Sequence, residues 1–288
     1  MAAISANTVK ELRDKTGVGM MEAKKALEDA AGDSEKAIDI LRKKGLSAAT
    51  KKAGRVAAEG IIASSVSAKA GVIIEVNSET DFVAKNEEFQ QFVKTLADLV
   101  KERKPPHVSA LSHLTIGSET VEAKRQALIQ KIGENLAIRR FERYETDGQI
   151  AIYLHGTRIG VMVEFTGGDD QFGKDIAMQI AAANPSFISR ETVPIATIER
   201  ERAIYEAQAK ETGKPAAVIS KIVDGKLDKF FGDFCLLEQV YIKDPEGKLK
   251  VKNIVKNAAI RRFVRYELGE GIEKKKDNFA DEVAAQLK

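Results

Sequence analysis

ENLAIRRFERYE, residues 134–145, comes back as KNAAIRRFVRYE at residues 256–267, identical at nine of twelve positions. A second pair accompanies it. GVIIEVNSETDFVAK (71–85) is echoed by GVMVEFTGGDDQFGK (160–174), which sets Glu75 against Glu164 and Asp81 against Asp170. Two matched blocks in the same order indicate two copies of one structural unit. The Ile-Arg-Arg-Phe blocks are offset by 122 residues (257 against 135) and the Gly-Val blocks by 89 (160 against 71). The second copy therefore carries about 33 extra residues (122 − 89) between its two blocks.

Each copy opens with a hairpin signal. IIASSV, a turn at Ala68-Lys69-Ala70 and GVIIEV form the first; IAIYL, a turn at His155-Gly156 and IGVMVEF form the second. A helix follows. In the first copy Phe89, Phe92, Val93, Leu96, Leu99 and Val100 fall on one helical stripe. The Ile-Arg-Arg-Phe block suits a closing strand. Each copy thus reads as an antiparallel sheet with helices on one face, an α+β unit. The insertion best fits residues 194–231, two helical stretches broken at Thr212-Gly213-Lys214-Pro215, a combination that cannot continue a helix. This is a helical hairpin, packed on itself as a coiled coil or presented to another protein.

Ahead of the repeats, residues 1–54 read as three short helices. Asn7 or Thr8 caps the first, Met20 to about Ala31 forms the second, and Asp33 or Ser34 caps a third that stops at Gly45. The stretch from Arg42 to Arg55 carries six Lys or Arg and no acid. Without interleaved aromatics it reads as a solvated linker helix rather than a nucleic-acid patch. At the far end, Phe279, Val283 and Leu287 mark a short amphipathic helix. The expected divisions are a three-helix domain with basic linker (1–54), a first core subdomain (55–147), a second (148–275, with the hairpin 194–231), and a C-terminal helical module (276–288).

Composition narrows the function. A net charge of +3 is too small for bulk nucleic-acid binding. No apolar run approaches the roughly 20 residues of a membrane helix, and the start lacks the apolar stretch of a signal peptide. One cysteine, Cys235, precludes an intrachain disulfide and a cysteine-based zinc cluster. These features lead us to expect a cytoplasmic protein without membrane contact.

No catalytic constellation stands out. GDDQFGKD (168–175) fits the spacing of a phosphate-binding loop, but Asp175 stands where magnesium needs Ser or Thr, and Asp169 and Asp170 would repel phosphate. Gly17-Val18-Gly19 follows no strand and reads as a turn. His107, His113 and His155 lack convergent ligands, and Cys235 within FCLLEQVYI reads as core. A binding or regulatory protein is expected rather than an enzyme, with no cofactor, no metal and no direct nucleotide binding.

That leaves Thr80-Asp81-Phe82-Val83. Asp81 can serve a helix N-terminus with Phe82 in the core, or the segment can be a contact surface. At the matched place the second copy reads Gly168-Asp169-Asp170-Gln171, keeping the acid and losing the aromatic. The unit can be built without a Phe there, which favours the contact role.

TGVGMMEAKKAL (16–27), TDFVAKN (80–86), KIGENLAIRR (131–140), HGTRIGVMV (155–163) and YELGEGIEK (266–274) together resemble the bacterial elongation factor Ts family, in that family's order and across nearly the whole chain. The resemblance implies a guanine-nucleotide exchange factor for elongation factor Tu. It also implies a ubiquitin-associated-like N-terminal domain, two core subdomains, a coiled-coil insertion and a C-terminal module. By the same resemblance, Thr80, Asp81, Phe82 and Val83 match the stretch linked to displacing magnesium from the partner. Phe82 matches the side chain that wedges between helices of the partner's nucleotide domain. Arg13, Met20 and Met21 match contacts to that domain, and His155 matches a contact to another domain. The resemblance also implies that the C-terminal helix docks on the partner. Ser78 departs from the pattern, where many members carry Cys. The hairpin tip has no specific motif, and the hairpin is the candidate surface for a homodimer or a 2:2 complex. The competing class is a ribosome- or RNA-associated adaptor that uses the basic linker and has no exchange activity.

Overall fold

The computed structural model describes residues 4–16 and 18–273. The expected C-terminal helix, 276–288, lies outside the described residues. The chain divides into two compact units. One takes in the described parts of Met1–Ser65, Ile73–Glu142 and Glu267–Lys288; the other consists of Val66–Val72 and Arg143–Tyr266. The architecture is α+β, with small sheets and many helices.

The first unit begins with α1 (Ala6–Thr16), α2 (Met20–Asp29) and α3 (Ser34–Lys52). Leu12, Ala23, Ala26, Leu27, Ala37 and Leu41 are buried together between them. The first cap is Ser5 rather than Asn7 or Thr8: its hydroxyl accepts from the Thr8 N–H at 3.1 Å. Asp33 caps α3, accepting from the Glu35 and Lys36 N–H groups at 3.0 and 3.1 Å. Gly45 does not end α3. A mid-helix glycine costs about 1 kcal/mol, and here packing overrides that cost. Gly45 is buried, and a Cβ there would come within 2.8 Å of Gln130 Oε1 on the neighbouring α6 (Val121–Ile132).

β1 (Glu59–Val66), β2 (Ala70–Ser78) and β5 (Ala137–Glu145) form one sheet with β2 central. Every residue of β2 is buried. Between β2 and β5 run α4 (Glu87–Arg103), α5 (Val108–His113), a small pair of strands β3 (Thr115–Ile116) and β4 (Glu119–Thr120), and α6. The stripe on α4 is inward, with Phe89, Phe92, Val93, Leu96 and Val100 buried. Ser65 of β1 donates to Asp98 of α4 at 2.5 Å and so fixes the helix against the sheet.

In the second unit β6 (Gln149–His155) pairs antiparallel with β7 (Ile159–Thr166), Gln149 opposite Phe165 and His155 opposite Ile159. β8 (Ala259–Glu267), the second Ile-Arg-Arg-Phe block, lies on the far side of β7. α7 (Asp170–Ala183) covers the sheet, burying Ile176, Ala177 and Ile180 with Val161, Val163 and Phe165. The inserted residues form α8 (Ile195–Lys210) and α9 (Ala216–Phe234), packed on each other through Tyr205, Ala209, Val223 and Leu227. Cys235 is buried at the foot of α9 with Val193 and Phe230. A short helix, α10 (Val251–Val255), precedes β8.

Candidate functional site

The candidate site is the connection from β2 to α4. The two copies are alike on either side of it. β2 and β7 start 89 residues apart (70 against 159), yet α4 and α7 start only 83 apart (87 against 170). The caps keep the second spacing: Asn86 accepts from Phe89 N–H at 3.0 Å, and Asp169 from Phe172 N–H at 2.8 Å. Six residues have therefore been added to the first copy between strand and helix. This corrects the alignment of Asp81 with Asp170. Asp170 opens the first turn of α7, whereas Asp81 belongs to the added turn and has no counterpart.

The added turn is held at several points. Ser78 donates from its hydroxyl to the Thr80 carbonyl at 2.8 Å. Ser78, the departure noted in the sequence, thus makes a turn-stabilising bond. Glu79 accepts from the Asn135 N–H at 2.6 Å and pairs with Arg55 at 3.4 Å. Thr80 gives both its N–H and its hydroxyl to Glu134, at 2.9 and 2.6 Å. Val83 enters the core and starts a 3-10 turn to Lys85. Asp81 and Phe82 are left outside. Phe82 is 75% exposed, with the Lys85 ammonium 5.7 Å from its ring centroid.

Phe82 is therefore not core. Burying a Phe side chain stabilises a fold by about 1.5–3 kcal/mol, and this fold forgoes that gain. Fixing backbone costs about 1–2 kcal/mol per residue. Here intramolecular bonds offset that cost, so the exposed ring stands on a support fixed within the chain itself. The residues that do this, Glu79, Glu134 and Asn135, were not singled out from the sequence. Their hydrogen-bond partners lie 54 and 56 positions apart and leave no periodic trace. Their one trace in the sequence is membership of quoted blocks, Glu134 and Asn135 in KIGENLAIRR and Glu79 in GVIIEVNSETDFVAK.

Arg13 is exposed near the end of α1, and Met20 and Met21, 45% and 74% exposed, open α2. These share the first unit with the turn. His155 belongs to the second unit, exposed at the end of β6, with its Nδ1 3.1 Å from the Tyr153 hydroxyl.

The rejected motifs have structural explanations. Gly168, the first residue of GDDQFGKD, and Gly167 just before it adopt positive φ (76° and 67°) to turn the chain, and Asp169 is the helix cap. Gly173 faces the Phe165 ring, where a Cβ would come within 2.5 Å. Asp175 accepts from Lys243 (2.6 Å), Tyr241 (2.9 Å) and Gln171 (2.7 Å). Burial pushes its carboxyl up, but these three donors outweigh it and hold it below the usual range. Of the six cations between Arg42 and Arg55, four are engaged internally. Arg42 pairs with Glu119, Lys44 with Asp29 and Arg55 with Glu79, and Lys52 donates to the Ile129 carbonyl. Among the described residues no cluster of three or more His, Cys, Asp or Glu could hold a metal, and no helix is long and apolar enough to cross a membrane.

Comparison with known proteins gives a consistent picture. The family model described as Elongation factor TS matches residues 79–270. The chain is 50% identical over 287 residues to Elongation factor Ts of Burkholderia thailandensis, covering all of this chain and 98% of the relative. Elongation factor Ts of Burkholderia cenocepacia is 51% identical with the same coverage, and that of Burkholderia multivorans 50%.

Proposed function

The chain belongs to the elongation factor Ts family, and on that premise we propose how its exposed turn does the family's work. It is a guanine-nucleotide exchange factor for elongation factor Tu in translation elongation. Such a factor needs no general acid or base. A nucleotide held at a Kd of about 1 nM is stabilised by roughly 12 kcal/mol. To release it, the factor must bind the nucleotide-free partner more tightly than the loaded one, and that coupling is reciprocal.

The observation that carries the mechanism is Phe82, 75% exposed on a pinned turn that the second copy lacks. Phe82 inserts between helices of the partner's nucleotide domain. The elements that hold magnesium then shift, and the clamp on the phosphates is lost. Thr80 and Val83 seat the turn, and Asp81 stands beside the ring at the contact. Arg13, Met20 and Met21, on a ubiquitin-associated-like head, bind the same partner domain, and His155 binds another. Their binding energy offsets the strain at the wedge. Methionine suits an anchor because its flexible side chain fits irregular surfaces. The α8–α9 pair is a surface for self-association into a homodimer or a 2:2 complex. Exposed Ile195 and Val218 on it support that role. The factor acts in the cytoplasm and assigns no chemical step to its own residues.

Stopped-flow release of labelled GDP from elongation factor Tu tests the wedge. Phe82→Ala slows catalysed release at least about tenfold, equivalent to ~1.4 kcal/mol, while thermal stability stays within about 0.5 kcal/mol, as for other exposed positions. Release at the wild-type rate would remove Phe82 from the mechanism.

A further inference from the structure

Glu134 follows Gly133, the left-handed residue that ends α6, and precedes the buried Leu136. Its carboxylate receives both donors of a single residue, the backbone N–H and the hydroxyl of Thr80. Next to it, the Asn135 N–H is given to Glu79. The loop after α6 is thus tied to the turn just two residues before Phe82. The second copy indicates what this tie is for. In the Ile-Arg-Arg-Phe match, Glu134 corresponds to Lys256. The copy without the added turn also lacks the carboxylate. Its strand reaches the buried acid all the same, Arg262 meeting Glu164 as Arg140 meets Glu75. The repeated fold unit does not require an acid at this position; the turn does.

We propose that Glu134 is a positioning residue for exchange, an inference that rests on Phe82 being the working side chain. Its carboxylate fixes the backbone at Thr80, so the ring is held in the orientation that enters the partner. Without that tie the competent orientation is populated for only part of the time, and the rate falls by that fraction. A carboxylate suits the task because both oxygens accept, and charge-assisted bonds are the stronger kind. An amide offers one accepting oxygen for the two donors.

Release of labelled GDP from elongation factor Tu, followed over a range of full-length factor concentrations, separates positioning from binding. Glu134→Ala lowers the maximal rate about fivefold with the half-saturating concentration within about twofold of wild type, and Glu134→Gln falls between the two. The deciding measurement is the same change in a Phe82→Ala background, where loss of Glu134 slows release by less than about twofold, since no ring remains to position. Wild-type kinetics for Glu134→Ala, or a further fivefold loss in the Phe82→Ala background, overturns the proposal. Should Glu134→Ala not fold, Thr80→Val poses the same question by removing the hydroxyl donor alone. It is expected to be about two- to threefold slower by itself and no slower when added to Phe82→Ala; no effect by itself overturns the proposal. Wild-type release by Phe82→Ala alone is a separate reading. It would overturn the wedge, and this proposal with it.

Discussion

Glu75 and Arg140 meet at 2.6 Å with the carboxylate fully buried, and the arrangement recurs in the second copy as Glu164 and Arg262 at 2.5 Å. A second arginine joins each pair, Arg139 at 2.8 Å and Arg261 at 3.3 Å. The paired arginines of the Ile-Arg-Arg-Phe repeat thus grip the glutamate of the Gly-Val repeat in both sheets. Breaking a buried ion pair costs about 3–5 kcal/mol when the orphaned partner stays buried. Arg139 and Arg140 keep 25% and 30% of their side chains in water, Arg261 and Arg262 44% and 47%. The more exposed pair rehydrates more easily. Glu75→Ala should therefore cost about 2–3 kcal/mol and Glu164→Ala about 1–2 kcal/mol. Urea midpoints at unchanged slope measure both, and an equal loss in the two variants would show that exposure of the arginines does not set the cost.

Stability should fall on the acid side. Burial raises the carboxyl pKa of Glu238, but Lys250, Arg190 and Lys252 outweigh it and push it down to about 2. Glu75 and Glu164 are lowered as well, their donors overcoming burial. A carboxyl depressed in the folded state stabilises fully above its unfolded value, near 4.5. Between that pH and about 2, the unfolded chain takes up a proton and the folded one does not, so stability declines as pH falls. Glu238→Gln is expected to be less stable at neutral pH and to show a shallower decline between pH 4.5 and 2. An acid limb as steep as wild type would mean that Glu238 does not report the linkage.

Anchoring and wedging should separate in the kinetics. Met20 and Met21 are substantially exposed, so truncating both costs little stability. The double change to Ala should weaken complex formation about tenfold, ~1.4 kcal/mol, and raise the half-saturating concentration. The maximal release rate stays near wild type. Calorimetric titration against the nucleotide-free partner checks the affinity; unchanged affinity would sink the anchor. Point changes are cleaner than deleting residues 1–54, because Gly45 and Glu22 of that segment pack against Gln130 of α6.

Much of the fold was legible because it is written twice. The glutamate and the arginine pair recur at fixed places, so both sheets and the inserted helices could be read from their offsets. Gly45 misled because the cost of a helical glycine is local, while the packing on Gln130 that overrides it is not. The turn was legible only in part. An ungapped match carried the strand offset past the strand and gave Asp81 a false partner in Asp170. That Phe82 lies outside the core follows from where Val83 and Asn86 point the chain, which no periodicity encodes. Glu134 was invisible as a clamp for the same reason: its role depends on a residue 54 positions away.

One glycine tests the distinction between packing and phosphate binding. Gly173 sits inside α7, where Ala would be favoured by about 1 kcal/mol on propensity alone. A Cβ there would lie 2.5 Å from two atoms of the Phe165 ring and 2.8 Å from the Ala151 Cβ. Phe165 and Ala151 are both buried in the core of the second sheet, so neither can swing into solvent. Overpacking of this kind costs about 1–3 kcal/mol and exceeds the propensity gain. Gly173→Ala should therefore be less stable by about 1–2 kcal/mol in urea. Catalysed GDP release at temperatures where the variant stays folded should match wild type, since Gly173 supports a sheet and cradles no phosphate. A variant as stable as wild type would mean that the Phe165 ring yields. A variant of lowered stability that also loses exchange while folded would give this motif a part in the mechanism that its packing does not explain.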